Sequence, residues 1–232
     1  MNFDLNILFD NIGAISNGFV VTIGAWIGGV VLGIVLGLLV AILHRFGGKP
    51  LKALLRIYIE MIRSTPFLIQ LFLLYYGGPT LGITLDAIPA GVLALGIYGS
   101  AYFAEIFRTG FNSIPSAQLE AAECLGLSRR QVILRIQLPQ MGVLIMPALV
   151  NMVTILLKET PVLSIITVPE LTLVMTGIGS ETFAFAEVLL VLCIGYLILV
   201  EATSRVGQAL EKHIGRYLDH RTPQIKIPEE LA

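Results

Sequence analysis

Between Asp10 and Arg45 the chain carries no charged side chain. That run exceeds the roughly 20 apolar residues that a helix needs to cross the hydrocarbon core of a bilayer, and comparable runs recur further along. Charged residues make up only 13% of the 232 residues, whereas a soluble domain carries about a quarter. The outer surface should therefore face lipid, and the expected fold class is an all-α polytopic membrane protein. A net charge of -1 leaves no basic field for nucleic acid. Asp4 and Asp10 stand where a cleavable signal peptide would carry a basic segment, so no such peptide is expected.

Five spans are expected, at about 17–43, 57–78, 88–111, 139–160 and 182–204. Residues 3–16 are expected to lie on the membrane surface. In the first span Gly29, Gly33 and Gly37 recur every four residues, so one helix face is bare and another helix can approach closely. Arg45, Lys49, Lys52 and Arg56 form a basic turn, and Glu60 and Arg63 are spaced to pair on a helix. Gly77-Gly78-Pro79 ends the second span. The segment 161–180 is apolar enough for a sixth span, but that would put the basic tail (Lys212, Arg216, Arg221, Lys226) outside. The rule that basic loops stay in the cytosol instead favours five spans, with the N-terminus outside, the C-terminus cytosolic, and 161–180 as an outer re-entrant or interfacial stretch.

The longest polar interruption is 114–138, expected on the cytosolic side. It reads as two short helices joined at a glycine. Ser116 is placed to N-cap the first, Gly126 to end it, and Ser128 with Gln131 to form a capping box on the second. An ordinary loop between spans would also fit this pattern. The chain has no phosphate-binding G-x-x-x-x-G-K-[ST] loop, no H-E-x-x-H and no G-x-S-x-G, so it is not expected to be an enzyme or to bind ATP itself. His44, His213 and His220 are scattered, and Cys124 and Cys193 lie in unlike settings. No metal, cofactor or disulfide is expected.

Charge at membrane depth is costly, about 2.5–3.5 kcal/mol at a span's centre. Glu105, Lys158 and Glu159 should therefore face a cavity or one another, or else snorkel at span ends. If opened to water, a carboxylate suits a substrate ammonium and a lysine suits a substrate carboxylate, and a zwitterion needs both.

Glu120-Ala121-Ala122, Gly126 and Leu138-Pro139 resemble the EAA loop of the membrane subunits of ATP-binding cassette (ABC) importers. Tyr58 to Pro66 is similar to the E-x-x-R-x-T-P segment of the polar amino acid permeases, the histidine/glutamine type. Ser100 to Arg108, Leu156 to Thr160, and Pro169-Glu170-Leu171 resemble further segments of that family, over about residues 12–220. The resemblance implies a type I ABC importer permease fold of five transmembrane helices in the bacterial inner membrane. It also implies the partners: two ATPase subunits, a periplasmic substrate-binding protein and a second permease chain, identical or homologous. Ser100, Glu105, Lys158, Glu159 and Thr160 fall where that family contacts an amino acid substrate. Ala117, Gln118, Glu120, Ala121, Ala122, Gly126 and Leu127 fall on its ATPase-coupling helix. Three positions depart from the family pattern: Glu159 where aspartate or asparagine is common, Pro161 where serine is common, and Ala117 where glycine is frequent. An ion-coupled secondary transporter is the alternative, against which five spans cannot form two equal inverted repeats.

Overall fold

The computed structural model describes residues 6–219, and among them there is no strand. Of the expected surface segment 3–16, residues 3–5 lie outside the described residues, as do the basic residues Arg221 and Lys226, and residues 12–16 belong to the first long helix. A short helix α1 (Asn6–Asp10) leads directly into α2 (Ile12–Phe46). The first long helix thus starts earlier than the expected 17, because nothing between Ile12 and Asn17 breaks a helix. Then follow α3 (Lys49–Ser64), α4 (Phe67–Phe72), α5 (Ala87–Asn112), α6 (Ser116–Cys124), α7 (Arg129–Val132), α8 (Leu138–Glu159), α9 (Leu171–Thr182) and α10 (Phe185–Asp219). Among the described residues four helices are long and apolar enough to cross a membrane, and a fifth is added if the bent pair Lys49–Ser64 and Phe67–Leu81 is one span.

The organising contact is α2 against α5. Gly18, Thr22, Ala25, Gly29, Gly33, Gly37 and Ala41 are the buried stripe of α2 beyond its first turn, one small residue per helical turn. A methyl group built on Gly37 would lie 2.6 Å from Phe103 Cβ and 2.8 Å from the Ser100 carbonyl oxygen. One on Gly29 would lie 2.6 Å from Leu95 Cβ. The traffic runs both ways, since Gly96 of α5 leaves room for Leu32, with only 2.5 Å between its missing methyl and Leu32 Cδ2. On the adjoining face α5 meets α8, where Leu156 packs on Gly99. Phe103 and Leu95 are completely buried between these helices.

The expected second span is broken. At Thr65-Pro66 the axis turns by 109°. Proline lacks an N–H and disfavours helix in the residue before it, and the carbonyl of Ile62 loses its intrahelical donor. Gln70 replaces it: its Nε2 donates to the Ile62 and Thr65 carbonyls, each at 2.8 Å. The chain continues through a π-turn, Leu73–Gly77, to Gly82 at φ 79. The expected Glu60–Arg63 pair does not form. Glu60 lies 3.9 Å from Arg56 instead, and Arg63 sits over the Tyr102 ring at 5.3 Å.

Beyond α8 the chain tightens into a 3₁₀ turn, Thr160–Ile166, reverses at Thr167 with φ 64, and forms α9. At 12 residues, α9 is about 18 Å long, too short to cross. It packs on α2 and α10 through a second apolar cluster of Ile15, Leu171, Met175, Ile178 and Val188. α10 is longer than the expected 182–204, extending to Asp219.

Gly37→Val should be the most damaging single change in the α2 stripe, because its neighbours are partly backbone. Overpacking of this kind costs about 1–3 kcal/mol. A lowered melting midpoint in detergent, with Gly24→Val (open space around it) unchanged, is the expected result.

Candidate coupling surface and transport path

The polar interruption folds as two capped helices. α6 starts at Ser116, one residue earlier than expected, with Pro115 at the boundary and no side-chain cap. Ser116 is therefore the first helical residue and not the cap, because Pro115 already supplies the extended ψ of 136° that begins the turn. Gly126 has φ 73. Its N–H donates to the Glu123 carbonyl at 2.9 Å, and the Leu127 N–H donates to the Ala122 carbonyl at 3.1 Å, which is the Schellman pattern of helix closure. The capping box forms: Ser128 N–H donates to Gln131 Oε1 at 2.8 Å, and Gln131 N–H to Ser128 Oγ at 3.4 Å.

Ala117, Gln118, Glu120, Ala121 and Gly126 are exposed, Leu127 is half-buried and Ala122 is buried. The unit is fastened beneath by Gln140 Nε2 donating to Gln118 Oε1 at 2.9 Å. Behind it, a cavity of about 420 Å³ is lined by Arg45, Leu119, Leu127, Arg129 and Gln137 among others. Arg45 donates to Gln137 Oε1 at 3.1 Å and lies 4.6 Å over the Phe111 ring. The end of α2 is thereby tied to the turn between α7 and α8. Leu125 projects from the closing turn with 81% of its surface exposed. Sequence reasoning missed it, since a leucine among polar residues carries no sign of which way it points.

The five expected substrate residues are not in one place. Ser100 is fully buried; its hydroxyl bonds the Ile97 carbonyl at 2.7 Å and the Tyr58 hydroxyl at 2.6 Å. Thr160 is fully buried too, donating to the Leu157 carbonyl at 2.8 Å. Glu105 is held by two of the guanidinium donors of Arg108, Nη2 at 2.6 Å and Nε at 3.0 Å. It lines an open cavity of about 210 Å³ with His44, Arg56, Glu60 and Arg63. Lys158 is exposed and Glu159 half-buried, side by side at the end of α8, and among the described residues neither forms an ion pair. The residues that join these two regions are aromatic. Glu159 lies within electrostatic reach of Tyr98, the Tyr98 hydroxyl lies 3.4 Å from that of Tyr102, and Tyr102 carries Arg63. Tyr98, Tyr102 and Glu105 fall at i, i+4 and i+7 on α5, one helix face, and that spacing was the available signal.

Comparison with known proteins gives the family of the chain. Residues 33–216 match the family described as binding-protein-dependent transport system inner membrane component. A probable glutamine ABC transporter permease protein of Bacillus subtilis, GlnM, is 34% identical over 211 residues, covering 91% of this chain and 98% of its own. The arginine transport system permease protein ArtQ of the same organism is 29% identical, covering 92% and 98%. A solved amino acid ABC transporter with histidines superposes with a TM-score of 0.85 at 32% identity, covering 92% of this chain and all of its own. The methionine transporter MetNI, at 18% identity and TM-score 0.75, shares the fold. The chain belongs to the binding-protein-dependent transport system inner membrane components, as a multi-pass permease of the ABC type.

Gly126→Val puts a β-branched side chain at φ 73, where such a residue is a strained outlier. The membrane helices should still assemble, while transport per ATP hydrolysed falls. Paired uptake and phosphate-release assays on the reconstituted transporter check this.

Proposed function

We propose that the chain is the translocation subunit of an ATP-driven importer of polar amino acids or their derivatives, opines included. It supplies the path and the lever, and separate subunits supply the energy. The observation that carries the reading is the coupling unit: an exposed short helix, closed at a glycine, with Leu125 at its tip. An exposed leucine beside small residues fits a groove on a partner, because burying it gains about 2 kcal/mol without leaving a polar group unpaired. We assign that partner as the ATPase, in two copies, with a second permease chain completing the path and a periplasmic binding protein delivering the solute.

The Arg45–Gln137 bond puts the basic turn and the coupling unit at the same end of the bundle. By the positive-inside rule that end faces the cytosol, with the N-terminus outside and the C-terminus inside. ATP binding then closes the ATPase dimer and moves α6. Through Gln118–Gln140 and Arg45–Gln137 the motion passes to α8 and α2. The path opens outward to receive the amino acid, and hydrolysis returns it inward.

In the path we assign Lys158 to the substrate carboxylate and Glu159 to its ammonium, since Lys158 is exposed, Glu159 half-buried beside it, and neither forms an ion pair among the described residues. Ser100 and Thr160 shape the path from behind, because their hydroxyls are already bonded. Glu105, paired with Arg108, holds the inner stretch polar. The relatives named for glutamine and arginine support an amino acid as the solute.

Mild solubilisation of a tagged chain, with the co-purifying chains identified by mass spectrometry, tests the assembly. An ATPase at about one copy per permease is expected with the native chain and is lost in Leu125→Asp. Native retention of the ATPase by that variant would remove Leu125 from the interface. Lys158→Ala should leave the ATPase bound and lower uptake of arginine and glutamine about tenfold, the factor carried by one charge-assisted hydrogen bond. Unchanged uptake would show that Lys158 only snorkels.

A further inference from the structure

Behind the Lys158–Glu159 shoulder lies a buried polar node that neither transport nor coupling explains. Glu170 is completely buried. Its Oε1 accepts from Leu173 N–H at 2.8 Å; its Oε2 accepts from Thr172 N–H and from the Tyr196 hydroxyl of α10, both at 2.9 Å. The neighbouring amide, Leu171 N–H, donates to Thr22 Oγ1 of α2 at 3.0 Å, and Thr22 is also completely buried. Burial pushes the Glu170 carboxyl up, against the pull of the two amides and the tyrosine.

The node reaches the end of α8 by two routes. Thr172 Oγ1 at 3.3 Å and Thr160 Oγ1 at 3.4 Å stand by the Tyr196 hydroxyl. Thr160 has one proton and a shorter bond to the Leu157 carbonyl, so its contact with Tyr196 is the weaker link. The firmer route is the chain between Thr160 and Glu170. Leu163, Ile166 and Val168 have no exposed surface, and Thr167 is held at φ 64. A non-glycine residue stays in that region only where its surroundings over-determine it, and here they end at Glu170.

Lys158 and Glu159 have no ion-pair partners of their own among the described residues. Their placement depends on the backbone beneath them, where α8 passes directly into the 3₁₀ turn Thr160–Ile166, whose Thr160, Leu163 and Ile166 are buried. We propose that Glu170 and Tyr196 are positioning residues for the transport path. They hold the end of α8 so that Lys158 and Glu159 face the solute, and they do not touch it. This rests on the assignment of Lys158 and Glu159 to the substrate.

The test uses the complete transporter in lipid nanodiscs, with Cys124→Ser and Cys193→Ala. A single Lys158→Cys or, as control, Leu125→Cys is labelled with a water-soluble maleimide. Tyr196→Phe removes one oxygen; Glu170→Gln keeps the shape but can no longer accept from all three donors. Each should change the labelling rate at position 158 about fivefold, the factor of one hydrogen bond, and leave position 125 unchanged. An unchanged rate at 158 in both variants overturns the proposal. A change at both positions also overturns it, since it reports general loosening.

With Lys158 restored, Tyr196→Phe should lower the arginine or glutamine carried per ATP by a similar factor and spare the hydrolysis rate. Equal loss of both would make the role merely structural and overturn the proposal. Shifted labelling with undiminished carriage would uphold the positioning of α8 and refute the substrate assignment of Lys158 and Glu159. The labelling arm decides even if neither amino acid is carried.

Discussion

The close approach of α2 and α5 is the constraint on which the rest of the structure depends. Lipid is as apolar as leucine, so two helices in a bilayer gain little by hiding hydrophobic surface from it, and association relies on van der Waals contact and short polar links. The glycine stripe of α2 makes that contact possible, letting Phe103 and Leu95 lie where side chains would otherwise collide. With α5 held on α2, the adjoining face is free to receive α8 through Gly99. A third face then remains for Tyr98, Tyr102 and Glu105. One helix thus organises the packing and presents the polar groups, and a shift of α2 would move both.

Polar groups in such a bundle must be satisfied inside it, and three places show how. At Pro66 the carboxamide of Gln70 replaces a missing backbone donor. At Glu105 the forked guanidinium of Arg108 takes both carboxylate oxygens. At Glu170 two amides and a tyrosine converge on one carboxylate. Among the described residues Gln70 Oε1 itself stays buried without a partner, and Lys158 and Glu159 form no ion pair, so these two charges stand out against that background. So does Leu125, the apolar counterpart at the coupling surface. These exceptions to local satisfaction are where a solute or a partner is expected to complete the structure.

Much of this was legible in the chain itself. The glycine stripe, the capping box at Ser128 and the closing role of Gly126 each follow from a local rule of helix geometry, and each appears in the fold. Ser116 fell one residue off, because the proline before it sets the boundary. The Glu60–Arg63 pair failed because spacing allows several partners and Arg56 competed, while the Tyr102 ring drew Arg63 away. Five residues offered by resemblance as substrate contacts separated into two buried hydroxyls, one paired carboxylate and two open charges. Their sequence positions carry no information on which hydroxyls are already bonded.

The sequence by itself determined that the chain is a helical membrane protein, where its polar interruption lies, and how that interruption folds. Those are matters of hydropathy and of bonds between residues a few positions apart. Only the tertiary structure decided that the second span bends by 109°, that α9 packs between α2 and α10, and that Thr22, Thr160, Glu170 and Tyr196 meet at one buried node. The reason is physical: a local hydrogen bond is set by neighbours along the chain, whereas a buried polar contact exists only once distant helices have packed closely enough to exclude water and lipid from between them.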